Sequence, residues 1–339
     1  MTAAPDLQHT SPRSGTAREL LQAAIGHAVL APSIRNTQPW RFELADDTLL
    51  LRADRSRALP TADPDHRELV MSCGAALFNL RTVLQHWGFG VRVQLMPDPH
   101  DPDLLARVSI TSGRPSGDDY RALVAAMGAR RTHRDAFSPD PLPQSLLDEL
   151  AAVAQREGAW LVRLQPPLAQ DAALRVGAAA RQLLGSRAYR RESAAWLRFA
   201  ERRAQDGVPV SALGLGSWRS RLGALLRRVW DRGSTAEAAR QEARAREAPA
   251  LVVLGTQGDT HRDWLWAGQA LEHVLLVAAN AGVFASFLDE PLQIPWLRRW
   301  LLLATGLSGA PQLLLRLGYG MAGRATPRRP VMEVLDAVP

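Results

Sequence analysis

Lysine is absent from this 339-residue chain, in which all 41 basic residues are arginine. That excludes Schiff-base catalysis, a phosphate-binding P-loop lysine and a serine–lysine dyad. An anionic ligand must then be held by guanidinium groups and backbone amides. This donor set suits phosphate, because one planar fork reaches two oxygens. Cysteine is nearly absent as well. Cys73 stands alone, which rules out an internal disulfide framework, and no Cys/His spacing suits a structural zinc. Long apolar runs are also missing. The main uncharged stretches, 274–288 and 300–315, fall short of the ~18–20 apolar residues that a membrane span needs. No segment near the N-terminus has signal-peptide form, and the reading is a cytoplasmic protein without a membrane partner. No serine sits in a G-x-S-x-G elbow.

The remaining composition, 46% hydrophobic and 22% charged, is that of a globular chain able to bury a sizeable core. A formal charge of +7 points at first to nucleic acid. Uniform replacement of lysine by arginine reads instead as a compositional bias, and no aromatic–basic interleaving suggests base stacking. Residues 1–15 read as a disordered lead-in. Periodicity predicts helices over 18–30, 65–87, 120–127, 144–156, much of 170–204 and 263–281. It predicts strands at 41–44, 49–52, 91–95, 105–110, 161–164, 250–255 and 313–317. The first helix must stop before Ala31-Pro32, since a residue preceding proline is pushed out of the helical region. Residues 208–248 differ in character: a loop, then the basic stripe "WRSRLGALLRRVW", then a polar, charge-rich stretch. They read as an inserted, exposed segment. The stripe of Trp218, Leu222, Leu225, Leu226, Val229 and Trp230 reads as cover for another part of the same protein rather than for a membrane.

A faint internal repeat is present. Setting "GAALFNLRTVLQHWG" from residue 74 against "GQALEHVLLVAANAG" from residue 268 brings Gly74 onto Gly268, Ala76 onto Ala270, Leu77 onto Leu271 and Gly88 onto Gly282. Each helix is followed by a glycine and a β-like stretch. Two related α+β halves with these helices as a central pair follow from that pattern.

The motifs divide into bland and informative ones. "GYGMAG" at 318–323 has dinucleotide-loop spacing after a strand, but "RATPRRPV" cannot open the required helix, so these glycines read as a sharp turn. "DPDH" at 63–66 and "DTHRD" at 259–263 read as helix caps rather than metal ligands. Cys73 lies on an apolar helix face and reads as core. "ARRTHRDAF" clusters Arg130, Arg131 and Arg134 around Thr132, and "TPRRP" carries Arg328 and Arg329. On clustering alone these are solvated basic loops; together they could enclose one phosphate monoester.

"LAPSIRNTQPWRF" resembles the A-P-S-x-x-N-x-Q-P-W loop of FMN-dependent nitroreductases. "RRTHR" resembles their phosphate loop, and "LGYG…PRRP" their closing strand and basic tail. "DWLWAGQALEHVLLVAANAGVFASFLDEP" resembles their central helix and the turn beneath the flavin. "RELVMSCGAALFNLR", "MPDP", "DGVP" and "APQLLLRLGYG" are similar to the Acg-type branch of that superfamily. The resemblance spans nearly all of 18–331. It implies a nitroreductase-like α+β fold of two fused halves, about 16–128 and 129–339, with central helices flanked by antiparallel-type sheets. It also implies a lid-like insert at about 208–248. The family's usual homodimer would be mimicked by one chain with a single flavin site.

By resemblance, Arg130, Thr132 and Arg134, with Arg328 or Arg329, would meet the FMN phosphate. Pro32, Ser33 and Asn36 would reach the flavin edge from the other half, and Gln38 with Pro39 and Trp40 would brace that loop. Backbone groups around Ser286, Phe287, Leu288 and Asp289 would approach the reactive nitrogen. NADPH or NADH is the implied reductant and a nitro, quinone or similar compound the acceptor, with a flavin-storage protein as the alternative. No protein acid or base is nominated, since the cofactor carries the chemistry. Thr132 stands where serine is usual. An acidic pair, Asp289 and Glu290, stands where small residues are usual and would oppose a reduced anionic flavin if it faced inward.

Overall fold

The computed structural model describes residues 15–113, 119–199, 204–210 and 232–336. The proposed lead-in (all but residue 15) and the stripe from Trp218 to Trp230 lie outside the described residues.

Helix α1, Ala17–Ala28, starts at a capping box in which Thr16 and Glu19 bond reciprocally, and buries Leu20, Leu21, Ala24, Ile25 and Ala28. A 3₁₀ turn at Ile34–Asn36 leads into the hairpin of β1, Trp40–Ala45, and β2, Thr48–Ala53. Helix α2, Arg67–His86, is followed by β3, Gly90–Leu95, and β4, Leu104–Thr111. Helices α3, Asp119–Ala129, and α4, Gln144–Arg156, precede β5, Ala159–Arg163. Next come α5, Leu168–Gly185, α6, Arg187–Ala195, and the two-residue strands β6, Leu197–Arg198, and β7, Val208–Pro209. The remainder is α7, Arg232–Arg246; β8, Ala250–Thr256; α8, His261–Asn280; β9, Val283–Phe287; α9, Pro295–Thr305; β10, Ala310–Tyr319; α10, Val331–Val334; and β11, Leu335–Asp336.

Beside a short parallel pair of β6 and β7, one main sheet has the order β11-β1-β2-β4-β3 and the other β5-β8-β10-β9. Every pairing in these two main sheets is antiparallel except that of β11 with β1, where Leu335 lies opposite Phe42. Helix α2 packs on the first sheet, α8 on the second, and the two helices on each other. The result is an α+β arrangement of sheet, helix, helix and sheet around one continuous apolar core.

Gly74 and Gly268, aligned in the internal comparison, meet where α2 and α8 cross. A Cβ on Gly268 would lie 2.0 Å from the Met71 carbonyl oxygen, and one on Gly74 would lie 2.4 Å from that of Leu265. Only glycine allows backbones this close.

Two expectations need amendment. Helix α2 begins at Arg67 rather than residue 65, because His66 takes the left-handed conformation at φ 59°. Asp63 does cap it, accepting from the backbone N–H groups of Glu68 (3.0 Å) and Leu69 (2.9 Å). Part of the polar stretch before residue 248 is not exposed. In α7, Ala238 and Ala245 are fully buried, and Glu242 sits over Gly177 of α5. Two alanines seven residues apart form a narrow stripe that lets the helices approach closely.

Candidate functional site

The loop after α1 is shaped by three left-handed residues, Arg35, Asn36 and Gln38, at φ 48°, 55° and 52°. Local bonds hold that strained path: the Gln38 N–H donates to Ser33 Oγ (2.9 Å), and the Ile34 N–H donates to Ser72 Oγ on α2 (3.2 Å). Trp40 anchors the loop's far end in the core, and the Cys73 thiol lies 3.3 Å from the Pro39 carbonyl. Burial pushes that thiol up, so it stays protonated and serves as packing.

Asn36 and Gln38 tie distant segments together. The Asn36 amide donates to the carbonyls of Gly207 (2.9 Å) and Pro327 (3.0 Å) and accepts from Arg328 (3.1 Å). The Gln38 side chain donates to the Gln205 carbonyl (2.9 Å) and accepts from the Arg329 N–H (2.8 Å). Segment 204–210 and the C-terminal tail are thereby fastened to the loop. Their contact encloses part of a cavity of about 1280 Å³.

One end of this cavity is cationic. Residues 130–134 follow α3 and lie along β9, with Thr132 bridging Ala285 and the His133 N–H donating to the Ala285 carbonyl (2.9 Å). His133 itself turns away, stacked on Phe137 with its Nε2 donating to Ala136 O (3.0 Å). Arg130, Thr132 and Arg134 line the cavity. Arg130 and Arg328 converge on one acceptor, the Leu30 carbonyl, at 3.2 and 3.0 Å. Both arginines have a buried Nε without a hydrogen-bond partner. Burial lowers Arg328 to about 9, with the charge of Arg130 adding to the effect. Burial also lowers Arg134, for which no hydrogen bond is found among the described residues. Buried guanidinium charges with donors left unsatisfied are costly, and a bound anion would offset that cost.

The other end is acidic. Glu68 on α2 accepts from Gln293 (3.1 Å), and burial pushes its carboxyl up to about 7 against the pull of Arg67. Asp289 and Glu290, just after β9, both face inward. Burial, reinforced by Glu68 and Glu290, drives Asp289 well above the usual carboxylate range, and its Oδ1 is buried without a partner. Arg35 lies over the Tyr189 ring, 5.0 Å from its centroid, on the same wall. Met71, Met127, Leu271 and Phe287 provide apolar surface between the ends.

Of the residues nominated from the sequence, Pro32, Ser33, Asn36, Arg130, Thr132, Arg134, Ser286, Phe287, Asp289, Arg328 and Arg329 line this cavity. Gln38 does not; its amide is occupied by Gln205 and Arg329. Leu288 does not either, being packed with Leu251, Val253 and Leu301 on the other side of the sheet. Arg329 reaches the lining, but its guanidinium donates to Gln38 O (3.2 Å) and Glu333 O (2.7 Å), which makes it a brace. Glu68, Tyr189 and Gln293 were not singled out from the sequence. Their only signal is a polar side chain beside an apolar helical stripe or turn.

No family model matches the chain. It is 32% identical over 324 residues to Rv3131 of Mycobacterium tuberculosis, whose name places it among NAD(P)H nitroreductases; the match covers 94% of this chain and 91% of that protein. It is 28% identical over 326 residues to Acg of the same organism, covering 93% and 95%. The solved structure of the FMN-dependent nitroreductase NfnB from Mycobacterium smegmatis, in complex with NADPH, is 16% identical. It covers 66% of this chain and 100% of that one at a TM-score of 0.41.

Proposed function

Because this chain belongs to the NAD(P)H nitroreductase family, we propose that it is an FMN-dependent oxidoreductase that draws electrons from NADPH or NADH and passes them to a small nitro, quinone or similar acceptor. One observation carries the reading: the loop holding Pro32 and Ser33 and the loop holding Arg130, Thr132 and Arg134 line a single cavity, bound through Leu30 O. The site also passes a chemical test of fit, since the guanidiniums of Arg130, Arg134 and Arg328 line one end and apolar surface lies beside them.

In this reading Arg130, Arg134 and the Thr132 hydroxyl hold the phosphate, and Arg328 adds charge from the tail. Ser33 supplies a polar contact on the opposite wall. Met71, Leu271 and Phe287 cover an aromatic ring system and keep water off it. FMN, when bound, supplies the two-electron chemistry that no side chain here can. Asn36 and Gln38 hold segment 204–210 against the cavity, where Ala204, Gln205, Val208 and Pro209 form part of the wall. Both walls come from one chain, so the working unit is a monomer.

A second reading, flavin storage without useful turnover, is favoured by Asp289 and Glu290. Where either carboxyl is ionised it opposes negative charge that develops on reduction, and because burial raises both, that opposition grows as pH rises. Anaerobic stopped-flow separates the two. Bleaching of the bound flavin by NADPH or NADH supports the oxidoreductase. A flavin that dithionite reduces and neither nicotinamide does would leave the storage reading.

A further inference from the structure

Glu272 lies in the middle of α8 with no exposed surface, and neither carboxylate oxygen has a well-formed hydrogen bond, although the Asn79 amide is close enough to favour its ionised form. Its Oε2 is 3.6 Å from Arg130 Nε, too long for a well-formed charged hydrogen bond. Nothing in the proposed electron transfer uses it. As a purely structural ion pair it is poor, since a buried pair compensates its desolvation only with good geometry and satisfied lone pairs.

We propose that Glu272 couples capture of the flavin phosphate to uptake of one proton, acting as a positioning residue through Arg130. The inference rests on the reading that places that phosphate at Arg130. An ionised Glu272 and a phosphate dianion compete for the same guanidinium. When the phosphate arrives, a second negative charge enters the field of Arg130, and keeping Glu272 ionised becomes more costly. The carboxylate then takes a proton from solvent, Arg130 is released to the phosphate, and the protein's own charge at this end rises by one, offsetting half of the incoming dianion.

The surrounding groups make this titration accessible. Burial pushes the Glu272 carboxyl up to about 7, while Arg130 and then Arg328 pull it down. These guanidiniums, from the loop after α3 and from the tail, are the charged groups whose field reaches it. Helix α2 contributes only the neutral Asn79 amide. Arg328, at about 9, keeps its charge through neutral pH. The sign follows from linkage. Above about pH 7 binding requires proton uptake, so affinity falls as pH rises, by up to about tenfold per unit. Below that the carboxyl is already neutral, and the dependence vanishes until the phosphate's own ionisation near about pH 6.

Flavin-stripped full-length protein titrated calorimetrically with FMN at about pH 7.5, in two buffers of different ionisation heat, counts the protons directly. Wild type should take up a large fraction of one proton per FMN. E272Q should take up none and bind about tenfold more tightly than wild type at about pH 8. Riboflavin, lacking the phosphate, should show no uptake with either protein. Absence of uptake in wild type, equal uptake in E272Q, or uptake retained with riboflavin would each overturn the inference. The wild-type measurement stands without any variant. Failure of wild type to bind FMN at every pH would instead overturn the functional reading on which this one rests.

Discussion

Arg130 and Arg329 carry the same group and are almost equally buried, yet their surroundings assign them different work. Arg130 lines the cavity with only the Leu30 carbonyl and a distant Glu272 as partners among the described residues, whereas Arg329 is engaged by Gln38 O and Glu333 O. Arg130→Ala should therefore weaken FMN binding by about 1.5–3 kcal/mol, the usual value of a charged hydrogen bond, with a folded protein remaining. Arg329→Ala should instead leave a buried carbonyl unsatisfied and lower stability by about 1–3 kcal/mol with smaller effect on affinity. Fluorescence titration and urea unfolding of both variants test the assignment. A loss of affinity in Arg329→Ala equal to that in Arg130→Ala would refute it. Glu272 adds a pH prediction. Its carboxyl is raised from 4.5 to about 7 in the folded chain. Between those values the native state binds the proton more tightly, so stability falls as pH rises through the window. The full penalty, about 3 kcal/mol, applies above it. E272Q should unfold at higher urea than wild type at about pH 8, and the gap should close towards about pH 5. A gap independent of pH would exclude this origin.

Among the elements, the crossing of α2 and α8 is the least forgiving. Gly268→Ala would place a methyl 2.0 Å from the Met71 carbonyl oxygen, against backbone that cannot move without separating the two helices. A loss of about 3 kcal/mol or more, or insoluble protein, is expected, as for other overpacked cores. Gly26→Ala serves as the control. Nothing lies within 4 Å of its Cβ position, so helix propensity alone should stabilise α1 by about 0.5–1 kcal/mol. Equal thermal shifts for the two variants would contradict the packing argument. The same elements show what the sequence discloses. Helix α4 was legible at both ends, and the Gly74/Gly268 match already marked the central pair, because 3.6-residue periodicity survives wherever one face is buried. Strand β11 was not legible, since two residues in parallel register leave no pattern to read. The buried face of α7 was hidden because alanine carries little hydrophobic signal. Glu272 escaped although it sits four residues after Gly268, on the helix's core face. A lone carboxylate there has meaning only once Arg130 and Arg328, far apart in sequence, are seen beside it.

For the whole molecule, the decisive feature is that the chain closes on itself. The tail carrying Arg328 crosses from the second sheet to the first, bonds Leu30 O and Asn36 on the way, and ends as β11 against β1. Each component of the proposed flavin site occurs once in the sequence, and both walls are supplied by one polypeptide. FMN titration should therefore saturate at one flavin per chain while light scattering gives the mass of a single chain. Stoichiometry alone does not distinguish a monomer from a dimer with two shared sites, so complementation is the sharper experiment. Arg130→Ala disables the cationic wall, and Asn36→Ala removes three hydrogen bonds that hold the opposite loop to segment 204–210 and the tail. In a shared-site dimer, mixing and refolding the two variants would create some sites with both walls intact and restore tight binding. With both walls in one chain every site keeps one defect, and the mixture should bind no better than the average of its parts. Recovered tight binding in the mixture would show that the site is assembled between chains and would remove the case for a self-contained monomer.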